Sequence, residues 1–153
     1  MSNTIKIKNY LNVFEEFVAN AALYPGHLVE EMSTGKVRKH ATSDGNVLPM
    51  FAIEDELQGK GISDAYAAND QVQVWIPTRG DIVNAVLADE ETVAIGDFLT
   101  SAGGGELKKF DVPASGGIVE NPALIVGVAV TALDLSSSSA STIANTRIQV
   151  RII

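Results

Sequence analysis

The sequence predicts an all-β domain, a small barrel or a sandwich. Three features predict it: short alternating strands, closely spaced turn residues, and a hairpin unit that occurs twice. Arg147-Ile148-Gln149-Val150-Arg151-Ile152 alternates polar and apolar residues at period two, and Gln71-Val72-Gln73-Val74-Trp75-Ile76 does the same before Pro77 closes it. That period sends alternate side chains to opposite faces of a pleated sheet. Ser43-Asp44-Gly45-Asn46, Thr78-Arg79-Gly80-Asp81, Gly103-Gly104-Gly105 and Ser115-Gly116-Gly117 supply turns between the apolar stretches.

Taken along the chain, Thr4-Ile5-Lys6-Ile7-Lys8 alternates like an edge strand. It reads either as the first strand of the domain or as a strand offered to a partner's sheet. Leu11, Phe14, Phe17, Val18 and Ala21 then fall on one face at helical spacing, with Glu15 and Glu16 opposite and Asn9 or Asn12 as a cap. Phe17 to Leu23 reads equally well as a strand entering the Tyr24-Pro25-Gly26 turn, so residues 12–18 stand open between helix and strand. Asp81 to Leu87 and Thr92 to Ile95 are further, weaker strand candidates. Leu124 to Val130 is a nearly unbroken Val-rich apolar run, the pattern of a strand buried on both faces. Ser136 to Thr142 has no apolar side chain larger than Ala140 and reads as a surface loop.

The repeat lies in two stretches that align without a gap. Pro25-Gly26-His27-Leu28-Val29, ending at Gly35-Lys36-Val37-Arg38-Lys39-His40, matches Ile95-Gly96-Asp97-Phe98-Leu99, ending at Gly105-Glu106-Leu107-Lys108-Lys109-Phe110. Gly26 meets Gly96, Gly35 meets Gly105, Val37 meets Leu107 and Lys39 meets Lys109. Each stretch reads as a turn glycine, a short strand, a loop ending in glycine and a return strand, which is a β-hairpin with glycine at its positive-φ corners. An apolar strand follows each, Pro49 to Ile53 and Ala123 to Val130. A β unit used twice implies internal pseudo-symmetry.

Composition bounds the function. The chain has 153 residues, 46% of them hydrophobic and 20% charged, which describes an ordinary globular domain with a real core. Its first residues, Met1 to Lys6, lack the apolar core of a signal peptide, and no apolar run approaches a membrane span, so no membrane partner is expected. With no cysteine there is no disulfide, thiolate metal site or Cys nucleophile. The net charge of −8 resides between Glu54 and Asp97, where ten carboxylates face only Lys60 and Arg79. Such a balance argues against a nucleic-acid partner, and the acidic stretch reads as a solvated face.

Catalytic and cofactor motifs are missing. Gly59-Lys60-Gly61 lacks phosphate-loop spacing, and Leu99 and Pro113 stand where a nucleophile elbow needs glycine before Ser101 and Ser115. His27 and His40, on opposite arms of the first hairpin, would need Glu30 or Glu31 to complete a metal site; they read as partly exposed strand or turn residues. Glu54-Asp55-Glu56 and Asp89-Glu90-Glu91 lack calcium-loop spacing and read as solvated strand ends. Trp75 reads as packing, not a sugar platform. The expectation is a binding or structural module, with no enzyme activity, metal or cofactor.

Across nearly its whole length the chain resembles a family of tailed-bacteriophage head proteins, the capsid decoration or head cement proteins. The resemblance is carried by Tyr10 to Asn20, Tyr24-Pro25-Gly26-His27-Leu28-Val29-Glu30, Phe51 to Ile62, Ala65 to Val72 and the ending Arg147 to Ile153. It implies a small β-barrel or β-tulip-like domain over residues 19–153, with an N-terminal arm over residues 1–18 reaching across capsid subunits. It implies as partners the major capsid protein and the chain itself, a homotrimer being favoured over a dimer, on the outer surface of the virion after synthesis in the host cytoplasm. Ile5, Ile7, Tyr10, Leu11, Phe14 and Phe17 are the arm residues expected to anchor it; the competing reading places Tyr10, Leu11, Phe14 and Phe17 in the domain's own core. A different function for such a fold is a virion-surface module recognising a host glycan or protein through Trp75 or Tyr66.

Overall fold

The computed structural model describes residues 2–111, 122–137 and 146–153. Along the chain run β1 (Lys6–Lys8), β2 (Phe14–Ala19), β3 (Val29–Glu31), β4 (Lys36–Lys39), β5 (Phe51–Ala52), β6 (Gln71–Trp75), β7 (Ile82–Val86), β8 (Thr92–Val93), β9 (Phe98–Gly103), β10 (Glu106–Lys109), β11 (Ile125–Ala129), β12 (Leu133–Asp134) and β13 (Arg147–Ile152). Two 3-10 turns, Glu56–Gln58 and Pro122–Leu124, are the helical elements among the described residues. The predicted turn at Ser115-Gly116-Gly117 and most of the Ser136–Thr142 loop lie outside them.

The strands form a six-stranded sheet, β1-β7-β13-β11-β9-β10, a five-stranded sheet, β3-β4-β2-β6-β5, and a two-stranded ribbon, β12-β8. The domain is all-β and sandwich-like, and none of its sheets closes into a barrel, so the barrel alternative falls away. Residues 14–18 take the strand reading. Phe14 lies opposite Trp75 and Val18 opposite Gln71 in an antiparallel ladder, which supplies their backbone hydrogen bonds through a partner strand far along the chain. Residues 1–18 thus contribute β1 and most of β2 to the two large sheets.

Two apolar clusters hold the layers. The larger joins both sheets through Ile5, Leu28, Phe51, Trp75, Val83, Leu99, Leu107, Ile148 and Val150. The smaller covers the other face of the five-stranded sheet with Leu23, Val29, Val37, Met50, Tyr66, Val72 and Val74. β6 serves both, sending Val72 and Val74 to one cluster and Trp75 to the other. Side chains buried this completely each stabilise the fold by roughly 1.5–3 kcal/mol.

The repeat extends well beyond the hairpins. Gly26 and Gly96 both sit at φ +94°, Gly35 at +76° and Gly105 at +77°. Each first turn is closed the same way, His27 N–H donating to Tyr24 O and Asp97 N–H to Ala94 O, both at 3.2 Å. Gly26 N–H reaches Ala52 O at 2.8 Å, and Gly96 N–H reaches Ala129 O at 2.9 Å, which makes β5 and β11 equivalent. Asn20 N–H donates to Val37 O and Ala88 N–H to Leu107 O, both at 2.8 Å, which makes β2 and β7 equivalent. The two copies interlock: Leu28 N–H donates to Gly105 O, and Gly105 N–H to His40 O.

Candidate partner-binding surface

An exposed apolar surface, Tyr10, Leu11, Val13 and Phe14, follows β1. Asp81 is wholly buried, and its carboxylate accepts the Thr78 N–H and Tyr10 N–H at 2.8 Å each and the Thr78 hydroxyl at 3.1 Å. A buried carboxylate needs such donors, and by taking them Asp81 pins the connection between β1 and β2 onto the Thr78–Asp81 turn. The Tyr10 ring lies over Gly80. Held there, Tyr10 and Leu11 are 61% and 60% exposed, with Val13 and Phe14 also exposed beside them. The ammonium groups of Lys6 and Lys8 stand over the rings of Phe14 and Tyr10, 4.6 and 5.2 Å from their centres, a geometry that attracts a cation to the ring face.

Beside Phe14 opens a groove of about 200 Å³ bordered by Lys6, Phe14, Ile53, Glu54, Leu57 and Gln73. Leu57, on the 3-10 turn Glu56–Gln58, is 97% exposed. Glu54 is buried at the groove's base, where its carboxylate accepts the Ile5 N–H at 3.2 Å. The surface therefore joins apolar side chains, two lysines and the exposed carboxylate of Glu56 beside the buried Glu54.

Three of the six anchor candidates, Tyr10, Leu11 and Phe14, come together on this surface. Ile5 does not: it is 0% exposed and packs in the main core, because its N–H is tied to Glu54 and its carbonyl accepts the Asn84 N–H. Ile7 is partly buried, and Phe17 is partly buried against the smaller cluster. Val13 and Leu57 were not anticipated. Leu57 had one signal in the sequence, a single aliphatic residue enclosed by Glu56 and Gln58.

The other candidate residues have structural roles. His27 and His40 are buried, not partly exposed. His27 Nδ1 accepts the Tyr24 N–H at 2.9 Å, as the Asp97 carboxylate accepts the Ala94 N–H in the second copy. Burial first, then the charges of Lys39 and Arg147, hold the His27 pKa at about 3. His40 joins the copies, with Nδ1 at 2.7 Å from Ser101 Oγ and Nε2 at 3.1 Å from Asn46 O. Glu30 lies 3.6 Å from His40 Nε2, yet both His40 and Ser101 are buried, which encloses this Ser–His–carboxylate grouping. Glu54 and Asp55 are likewise buried, against the expectation of solvated strand ends, because Glu54 answers the Ile5 N–H and Asp55 the Gln58 amide. Trp75 is 0% and Tyr66 4% exposed, which withdraws both as a glycan platform. The Tyr66 hydroxyl donates to Ile53 O at 2.7 Å, and burial raises its pKa to about 12.

Fold and surface together define a class: an all-β, sandwich-like domain of two repeated units with an apolar, charge-rimmed patch along its first strand. No family model matches the chain, and no curated protein matches it. Among solved structures, it is similar to the N base of head fiber gp8.5 in bacteriophage phi29, with a TM-score of 0.57 and 13% sequence identity. The likeness covers 94% of this chain and 95% of that one. At that identity it is a likeness of fold.

Proposed function

We propose that this chain is a structural protein of a tailed-phage head, bound to the outside of the capsid, where it acts as cement by bridging neighbouring subunits. The observation that carries the reading is the end-to-end likeness of fold to the phi29 head-fiber base, which agrees with the resemblance read from the sequence. The surface around Tyr10, Leu11, Phe14 and Leu57 is the contact offered to the major capsid protein, and the chain's own copies, favoured as a trimer, supply several such contacts at once. Its role is mechanical, not catalytic. A matured shell is strained outward by packed DNA, and a ligand that touches several capsomers opposes their separation through multivalency. Binding the expanded lattice in preference to the immature one stabilises the expanded state by mass action.

The test is co-sedimentation of the purified chain with mature heads and with unexpanded proheads of the source virus, both lacking their own decoration protein. The expected outcome is saturation at a fixed ratio to capsid subunits, selective for mature heads, with delayed release of DNA on heating. Failure to bind either particle would overturn the reading and favour a recognition module.

A further inference from the structure

The two copies of the β unit differ at one strand edge. Ala19 N–H donates to Asp70 O and Asn20 N–H to Val37 O; Leu87 N–H donates to Thr146 O and Ala88 N–H to Leu107 O. Those matched pairs set Ala19 against Leu87, and counting back sets Glu16 against Asn84 and Phe14 against Ile82. In the second copy this edge of β7 is covered by β1: Asn84 N–H donates to Ile5 O at 2.8 Å, and Lys6 and Lys8 lie opposite Val83 and Ile82.

The edge of β2 has no such cover. Val13 O accepts the Ile76 N–H, and Ala19 N–H donates to Asp70 O, so the odd-numbered residues face β6. Phe14 and Glu16 consequently turn their N–H and C=O groups the other way, since antiparallel ladders alternate. β4 protects that side only from Val18 onward, opposite Lys36. Among the described residues nothing bonds to the outward backbone groups of Phe14 and Glu16, and both residues are exposed. An open edge of this kind is a template for another strand.

We propose that the Phe14–Phe17 edge is a docking site for an extended polypeptide segment of alternating basic and aliphatic residues, which adds as a further strand to the five-stranded sheet. The equivalent edge on β7 already holds such a segment, Ile5-Lys6-Ile7-Lys8. Carboxylates favour the same chemistry here and outnumber the cation beside the edge, Lys6, whose ammonium lies 4.6 Å from the Phe14 ring centre. Glu15 and Glu16 stand where β7 has the uncharged Val83 and Asn84, and Glu54 and Glu56 border the adjoining groove. Phe14 and Leu57 offer the apolar seat for the aliphatic residues. That the segment belongs to the capsid protein rests on the proposed function; that the edge takes a basic strand does not.

The probe is a synthetic peptide with the sequence of residues 3–9, capped at both ends, added to the isotope-labelled full-length protein. The expected result is movement of the Phe14 and Glu16 amide resonances and at least about tenfold slower hydrogen exchange at those two amides on saturation. The effect should weaken with salt and vanish for a peptide with both lysines replaced by Glu, or one N-methylated at alternate residues. Glu16→Pro removes the outward N–H while sparing the ladder to β6, a position where strands accept proline; with its thermal unfolding unchanged, it should lose peptide binding at least about tenfold. Unmoved Phe14 and Glu16 resonances would overturn the inference, as would sedimentation showing the edge already paired with a second copy. Equal binding of mature heads by wild type and Glu16→Pro would remove the capsid protein as the source of the strand and leave the head reading standing. Peptide docking at β2 by a protein that ignores heads would do the reverse.

Discussion

The turn at Tyr24–His27 and the turn at Ala94–Asp97 have one backbone path and opposite surroundings. A Cβ on Gly26 would meet Asn84 O at 3.1 Å, Arg147 Nε at 3.2 Å and Ile5 Cδ1 at 3.3 Å, whereas one on Gly96 would meet nothing within 4 Å. Leu28, just after the first turn, is wholly buried, while its counterpart Phe98 is 49% exposed. The acceptor that closes each turn has adapted: a neutral imidazole inside, a carboxylate paired with Lys109 outside. Burying an ion without full compensation is costly, so the same geometric task goes to different chemistry. Conformation here is set by local turn residues, and side-chain type by what packs around them.

The largest effect expected from breaking this equivalence is at the paired glycines. Gly26→Ala adds crowding to a positive-φ strain and should cost about 4 kcal/mol, against about 1–2 kcal/mol for Gly96→Ala. Urea unfolding of both variants measures the difference; equal losses would mean the two turns share one environment after all. Next comes Asp81→Ala, which strands the Tyr10 and Thr78 donors and should cost about 3 kcal/mol. Faster hydrogen exchange at Tyr10 would accompany it.

Acid should separate the two turns by window. With its folded pKa near 3 and its ordinary value 6.5, His27 is protonated in the unfolded chain but not in the folded one between those limits. Stability therefore falls as pH drops from about 6.5, by up to about 1.4 kcal/mol per unit. His27→Asn, which keeps an acceptor, should remove that component from the pH dependence of the unfolding midpoint. Asp97 behaves differently. The Ala94 N–H, then Lys109, hold its carboxyl below the ordinary 3.8, so its contribution is present above that value and lost only on further acidification. Smallest in stability are Tyr10→Ser and Leu11→Ser, expected to change unfolding by less than about 0.5 kcal/mol while weakening sedimentation with heads. Ile95→Ser, on the exposed turn of the second copy, should leave that sedimentation unchanged.

Much of the fold was legible because its signals are local. Glycine corners, alternation and Pro25 lie within a few residues of the structure they specify, and the hairpin repeat reads directly from them. Residues 12–18 stayed ambiguous because their apolar spacing fits a helix as well as a strand, and β6, which decides the matter, lies more than fifty residues away. The binding surface was half legible. Alternation in Thr4 to Lys8 cannot say which face turns inward, so Ile5 read as a contact residue although Glu54 and Asn84 draw it into the core. The carboxylate of Glu54 read as solvated because its donor, the Ile5 N–H, comes from a distant segment, as does the Tyr10 N–H that reaches Asp81.

The placement of β13 has a consequence for biosynthesis. The five-stranded sheet draws on residues 14–75 alone, so all its strands have been synthesised by mid-chain. In the six-stranded sheet, by contrast, Arg147–Ile152 lies between β7 and β11. Until that segment emerges, β7 and β11 each wait with an unpaired flank while the first unit is already free to form. The interior of the second sheet can therefore be closed only after the end of Arg147–Ile152 is available, by a long-range pairing, which is the slow class of step.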